Sequence, residues 1–165
     1  MKKVLSILAI LAISVSTFAS APAEGRFNAS VGASVMASGS NHPEKNLWSV
    51  GVSYDQEIQE SLSYVVGANY MQHSYDFSTY VVEAGLAYEI VEDFYTVVAV
   101  NYNFFSAETL DFDSRLGYRI GFGYDVTEDI STELSFEQLN NQVNSPFGGV
   151  HIKTDTVKVA AIYHF

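Results

Sequence analysis

The sequence predicts an all-β chain: an eight-stranded antiparallel up-and-down transmembrane β-barrel preceded by a cleaved signal peptide. Three observations predict it: an apolar leader, a turn cassette that recurs along the chain, and an alternation that leaves one face of every strand without charge. The 165 residues are 48% hydrophobic, 14% aromatic and 16% charged. A soluble domain carries roughly 25% charged residues.

The leader comes first. Met1-Lys2-Lys3 is a short basic start, Val4 to Val15 is almost wholly apolar, and small residues follow through Ala21. That order is what an export signal needs, and the apolar run is too short to span a bilayer as a helix. Cleavage is expected after Ala21, with Ala19 and Ala23 as the alternatives because Pro22 adjoins the first site, and Ala21 divides the chain into a signal peptide, 1–21, and a barrel domain, 22–165. No later stretch offers the apolar length of a transmembrane helix.

The turn cassette sets the strand count. Tyr54-Asp55, Tyr88-Glu89 and Tyr124-Asp125 each open a short polar turn followed by an apolar restart, at Leu62, Phe94 and Ile130. The spacing of these tyrosines accommodates two strands of about ten residues, the turn and one longer connection, so the period is that of a repeated hairpin. Strands are placed at about Phe27 to Ala37, Trp48 to Asp55, Leu62 to Met71, Tyr80 to Glu89, Phe94 to Phe104, Arg115 to Asp125, Ile130 to Glu137 and Thr154 to Phe165. Three tight turns then lie on one side and four longer loops on the other.

Alternation assigns the faces. The set running through Val31, Val50, Val66, Val82, Val98, Ile120, Leu134 and, counted from Val157 in the last strand, Val159 has 40 positions and no charge, whereas the 40 positions opposite include nine charges. All seven glycines inside the strands fall on the charged face, which suits a crowded lumen. Aromatics gather at the ends of the apolar face: Tyr54, Tyr88, Phe94 and Tyr124 toward the turns, and Trp48, Tyr70, Tyr80, Tyr102 and Tyr118 toward the loops. Two such girdles are expected at membrane interfaces. A soluble β-sandwich would instead have to bury the whole apolar set inside a chain of this length. Bilayer insertion requires a closed barrel, because an open edge would leave peptide groups unpaired in hydrocarbon. Export, a lipid-facing exterior and an even strand count point to the outer membrane of a Gram-negative cell.

The final run from Val157 to Phe165 alternates, with Val157, Val159, Ala161, Tyr163 and Phe165 on the apolar face. It resembles the assembly signal of outer-membrane β-barrel proteins, and the chain after its leader resembles the small OmpX/OmpA-type barrel family. That resemblance implies insertion through the outer-membrane assembly machinery, turns facing the periplasm and variable loops facing outside.

Inside the barrel, Glu83, Arg115, Arg119, Glu133, Glu137 and Lys158 are expected to form a lumen charge network. If Tyr124 pairs with Ile130, Arg119 lies diagonally between Glu133 and Glu137. The fourth loop, Gln138 to His151, is expected to be the longest. The loop histidines, His42, His73 and His151, lack ligand spacing, and no nucleophile elbow is present, so no cofactor, metal or catalytic residue is expected. The formal charge is −11, and −13 without Lys2 and Lys3, a sign that argues against nucleic acid. With no cysteine, disulfides and thiolate sites are excluded. The expected role is structural or a surface interaction, by a monomer whose partners are outer-membrane lipid and lipopolysaccharide, the assembly machinery and a host or cell-surface ligand at the loops. A small porin-like diffusion channel and a lipid A-modifying enzyme are the alternatives.

Overall fold

The structure, a computed structural model, describes residues 25–38, 47–73, 77–106, 112–143 and 150–165. The expected leader, 1–21, lies outside the described residues. Among the described residues there are nine strands: β1 (Gly25–Ser38), β2 (Leu47–Gln59), β3 (Leu62–His73), β4 (Phe77–Val91), β5 (Phe94–Ser106), β6 (Phe112–Ser114), β7 (Leu116–Thr127), β8 (Ile130–Val143) and β9 (Val150–His164). All pairings are antiparallel and run around a ring in which β9 pairs with both β8 and β1, closing the sheet. The three-residue β6 precedes β7 in the chain and pairs with the far end of β8, so β6 and β7 together make one of eight barrel strands.

The side-chain period follows the sequence reading along the strands except at Arg115. Along β7 exposed and buried positions alternate from Leu116 to Tyr124. Val52, Val98, Leu134 and Val159 are 60%, 54%, 53% and 57% exposed, while the buried set consists mostly of polar or small inward residues such as Asn28, Ser49, Glu83, Asn101, Arg119 and Glu133. A chain with this many half-exposed Val, Leu, Tyr and Phe side chains has its apolar face outside and its polar face inside, the inverse of a water-soluble barrel.

The cassette resolves into one repeated device. Glu60-Ser61, Glu92-Asp93 and Glu128-Asp129 form the three turns, and each is preceded by a one-residue register shift, at Glu57/Gln59, Glu89/Val91 and Asp125/Thr127. The extra residue adds twist where the chain reverses. Ser61 and Asp93 both hold φ at 66°, the left-handed region.

Two expectations are corrected by this register. Tyr124 pairs with Thr132 rather than Ile130, because the bulge and two-residue turn leave Thr127 opposite Ile130. Arg119 therefore sits directly across from Glu137. The fourth loop is also shorter than Gln138 to His151, since β8 and β9 stay paired out to Val143 and Val150. Asn140, Asn141 and Gln142 offer no apolar alternation, so the extension rests on backbone pairing that hydropathy does not reveal.

Candidate functional site

The barrel interior is layered. At its centre lie Glu83 on β4, Arg119 on β7, Glu133 and Glu137 on β8, and Lys158 on β9, all buried. Arg119 Nε lies 3.0 Å from Glu83 Oε2, its Nη2 donates to Glu83 Oε1 at 3.0 Å, and its Nη1 donates to Glu133 Oε1. Asn69 Nδ2 donates to Glu83 Oε1 at 3.3 Å, and Lys158 Nζ pairs with Glu137 Oε1 at 2.7 Å. Five of the six residues expected in the network are thus brought together. They come from four strands, so the pairs tie the wall across the lumen.

Arg115 lies apart from them. Between Tyr118↔Gln138 and Ser114↔Asn141 the β6–β7 strand holds one residue more than β8, a bulge at which Arg115 leaves the inward series. Its side chain is exposed and donates to Gln142.

Small residues make the room. A Cβ added at Gly123 would lie 2.0 Å from Tyr95 Cζ, so the tyrosine ring lies across that backbone inside the barrel. At Gly121 it would come 2.9 Å from Glu133 Oε1.

Toward the loop end, Met71, Val81 and Leu139 form a buried apolar cluster with Phe105 packed against it. Sequence reading puts Met71 and Val81 on the polar face and Leu139 in the fourth loop. The available signal was their exception to it: each is a large aliphatic side chain in an otherwise small or polar series.

Toward the turn end the interior opens into a cavity of about 420 Å³ whose walls include Asn28, Asp55, Tyr95, Asp125 and His164 and whose floor includes Arg119 and Lys158. His164 is buried, with Nδ1 2.7 Å from Asn28 Oδ1 and Nε2 3.0 Å from Ser131 Oγ. Asn28 Nδ2 in turn donates to Asp55. That orientation makes Nδ1 the donor and leaves Nε2 to accept from the serine hydroxyl. The contact resembles an activated nucleophile, yet Ser131 has no exposed surface and does not line the cavity, so no substrate atom can reach its Oγ. Its effect is mechanical: His164 links β9 to β8 and β1 where the ring closes.

The expected girdle residues lie on the outer face. Trp48, Tyr70 and Tyr80 form a row with ring centroids 5.6 and 5.2 Å apart, and Phe27, Tyr54 and Tyr64 form another at 4.9 and 6.3 Å. Tyr118 packs on Phe136 and Tyr102 on Phe104. Tyr88 and Tyr124 are exposed near the turns, and Phe94 stacks on Phe122. Val157, Val159, Ala161 and Tyr163 follow the outward period of β9, with Phe165 after it. The side chains of His42, His73 and His151 lie outside the described residues.

A family model described as outer membrane protein beta-barrel domain matches residues 5–165. Among solved structures, Neisserial surface protein A is similar at a TM-score of 0.59 and 15% identity, over 86% of this chain and 97% of that one. Ail, the attachment invasion locus protein of Yersinia pestis, in complex with the heparin analogue sucrose octasulfate, gives 0.56 and 18% over 87% and 99%. The outer membrane protein AlkL in lipid bilayers gives 0.51 and 13% over 88% and 92%. No curated protein matches by sequence.

Proposed function

This chain belongs to the outer-membrane β-barrel protein family and resides in the outer membrane, and from that premise we propose that it is a non-enzymatic, non-conducting anchor whose loop end meets ligands at the cell surface. The observation that carries this reading is the filled lumen. Paired charges from four strands occupy its centre, and Met71, Val81 and Leu139 close the loop side above them. A barrel of eight strands has an interior just wide enough for side chains to fill. At the loop end β8 and β9 stay paired beyond the level at which β9 leaves β1, and β6 pairs against β8. Scaffolds commonly present function on such ends.

Several roles follow from the same reading. Residues 1–21 serve as the export signal, the aromatic rows seat in the lipid and lipopolysaccharide interfaces, and Val157, Val159, Ala161, Tyr163 and Phe165 engage the assembly machinery. The Ail structure holds a sulfated heparin analogue. With a formal charge of −11, this chain is better suited to a neutral or cationic surface ligand than to a polysulfated one.

The test uses cells displaying the native chain beside a variant whose residues 107–111 and 144–149 are replaced by short Gly-Ser turns. The expected outcome is adhesion that the variant loses, unchanged lipid A acylation, and no conductance from the purified barrel in planar bilayers. Discrete conductance steps would replace this reading with a diffusion channel, and altered acylation would replace it with an enzyme.

A further inference from the structure

We propose that the closing seam carries a proton switch: His164 clasps β9 to β1 and β8 only while its ring is neutral, and acidification from the turn side loosens that end of the barrel. The first observation is a chain of hydrogen bonds whose direction is fixed at one end. The carboxylate of Asp55 can only accept, so Asn28, which bonds it, turns its Nδ2 that way and its Oδ1 toward His164. Nδ1 of the ring, 2.7 Å from that oxygen, therefore holds a proton. Nε2 is left to accept from the Ser131 hydroxyl at 3.0 Å, and Ser131 Oγ in turn can accept from Tyr95 Oη at 3.3 Å. Side chains of β2, β1, β9, β8 and β5 are joined in this order, and each ring nitrogen has one role in it.

The second observation is the surroundings of Nε2. A proton arriving there turns Ser131 from donor to acceptor, and its hydroxyl must swing onto Tyr95 Oη, which costs the Tyr95 proton its acceptor. The imidazolium so formed is 8% exposed. Facing it are Arg26 from β1, Asp55 from β2, Asp125 from β7 and Asp129 from the turn before β8. Deeper in the cavity, Glu133 on β8 and Lys158 on its own strand are already held by Arg119 and Glu137. Asp55 is engaged by Arg26 and Asn28, and Asp129 is exposed, where water screens its charge. Asp125 Oδ1 lies 4.0 Å from Nε2, beyond hydrogen-bond reach. Burying a charge without a paired counter-charge is costly, so the proton and the clasp compete. The third observation is position. His164 lines the cavity that opens among the turns, so a proton from that side reaches it. Asn28↔His164 is the terminal pair of the β1–β9 register, and beside it the His164 N–H donates to Asp129 O at 2.9 Å and the Phe165 N–H to Phe27 O at 2.8 Å. Fraying starts at such ends. Stability from the clasp is therefore present above the ordinary imidazole pKa of about 6.5 and is lost as pH falls below it.

The test is nuclear magnetic resonance of the detergent-folded, backbone-assigned full chain from about pH 8 to about pH 5, across the range of an ordinary imidazole. At the upper end the ring nitrogens of His164 should show the proton on Nδ1. As the ring takes up its second proton, hydrogen-exchange protection of the His164 and Phe165 amides should fall by about tenfold, the loss of one buried hydrogen bond. Protection of Val159, in the middle of the seam, should hold. His164→Gln, whose amide does not titrate, should keep one level of protection across the range. Asp125→Asn, which takes the nearest carboxylate from the imidazolium, should deepen the fall. A proton on Nε2 at the upper end, protection that stays level or rises as His164 titrates, or an equal fall in His164→Gln would overturn the proposal. The tautomer and the direction are read from the native chain, so both stand if His164→Gln fails to form a barrel.

Discussion

At the turn end, three hairpins reverse through two-residue turns behind the same one-residue bulge, two of them with a left-handed second residue, and the interior there is open, polar and acidic. At the loop end, strand lengths differ, β6 breaks from β7 at Arg115, and the interior is shut by Met71, Val81 and Leu139. The contrast separates two kinds of constraint. A short reversal between paired strands has few solutions, so all three keep the same length and the same bulge. Beyond the seal, side chains no longer have to fill a lumen, and the connections are free to differ.

The largest predicted effect tests whether the charges at the two levels are equivalent. Arg119→Ala leaves Glu83 and Glu133 buried without their cation and should cost about 3–5 kcal/mol in urea unfolding from detergent. Arg115→Ala, at the exposed bulge, should stay within about 0.5 kcal/mol. Similar losses for the two would erase the distinction. On the outer wall between the ends, Val98→Lys should cost about 2–4 kcal/mol, since Val98 is 54% exposed on the lipid-facing side. A harmless Val98→Lys would mean that the faces are assigned backwards.

A smaller loss sharpens the comparison of the seals. Leu139→Ala should destabilise by about 2–3 kcal/mol, because the side chain is fully buried among Met71 and Val81. Planar-bilayer recording should show no conductance for this variant while the ion pairs remain. Conductance from Leu139→Ala alone would show that the apolar layer is the whole barrier. The smallest effect is a gain: Ser61→Gly should stabilise by about 1 kcal/mol by relieving a left-handed backbone, with the increase read as a higher unfolding midpoint in urea. Asp93→Gly should gain less, since aspartate tolerates that conformation better.

The sequence made the wall legible and much of the lumen obscure, for physical reasons. Alternation is a local signal, so the faces around Val52, Val98 and Val159 could be assigned strand by strand. The central charges were legible because a charge on a strand of a membrane barrel must point inward. Register across a turn was not, since it depends on whether a bulge such as Asp125/Thr127 precedes the reversal. That shift set Arg119 against Glu137, and the bulge near Arg115 removed a sixth charge from the network. The histidine clasp was hidden for another reason: Asn28, Ser131 and His164 meet only after closure, at sequence separations of up to 136.

That closing seam also fixes a chronology. Neighbouring hairpins can pair as soon as each is made, but β1 waits for β9, whose His164 lies across from Asn28. Pairing over such a separation is slow to find. During the interval the growing sheet has two bare edges, either of which can template a strand from another molecule. The number of copies travelling unclosed at one time is therefore a hazard in itself, and a chain cut before β9 would keep that hazard for life.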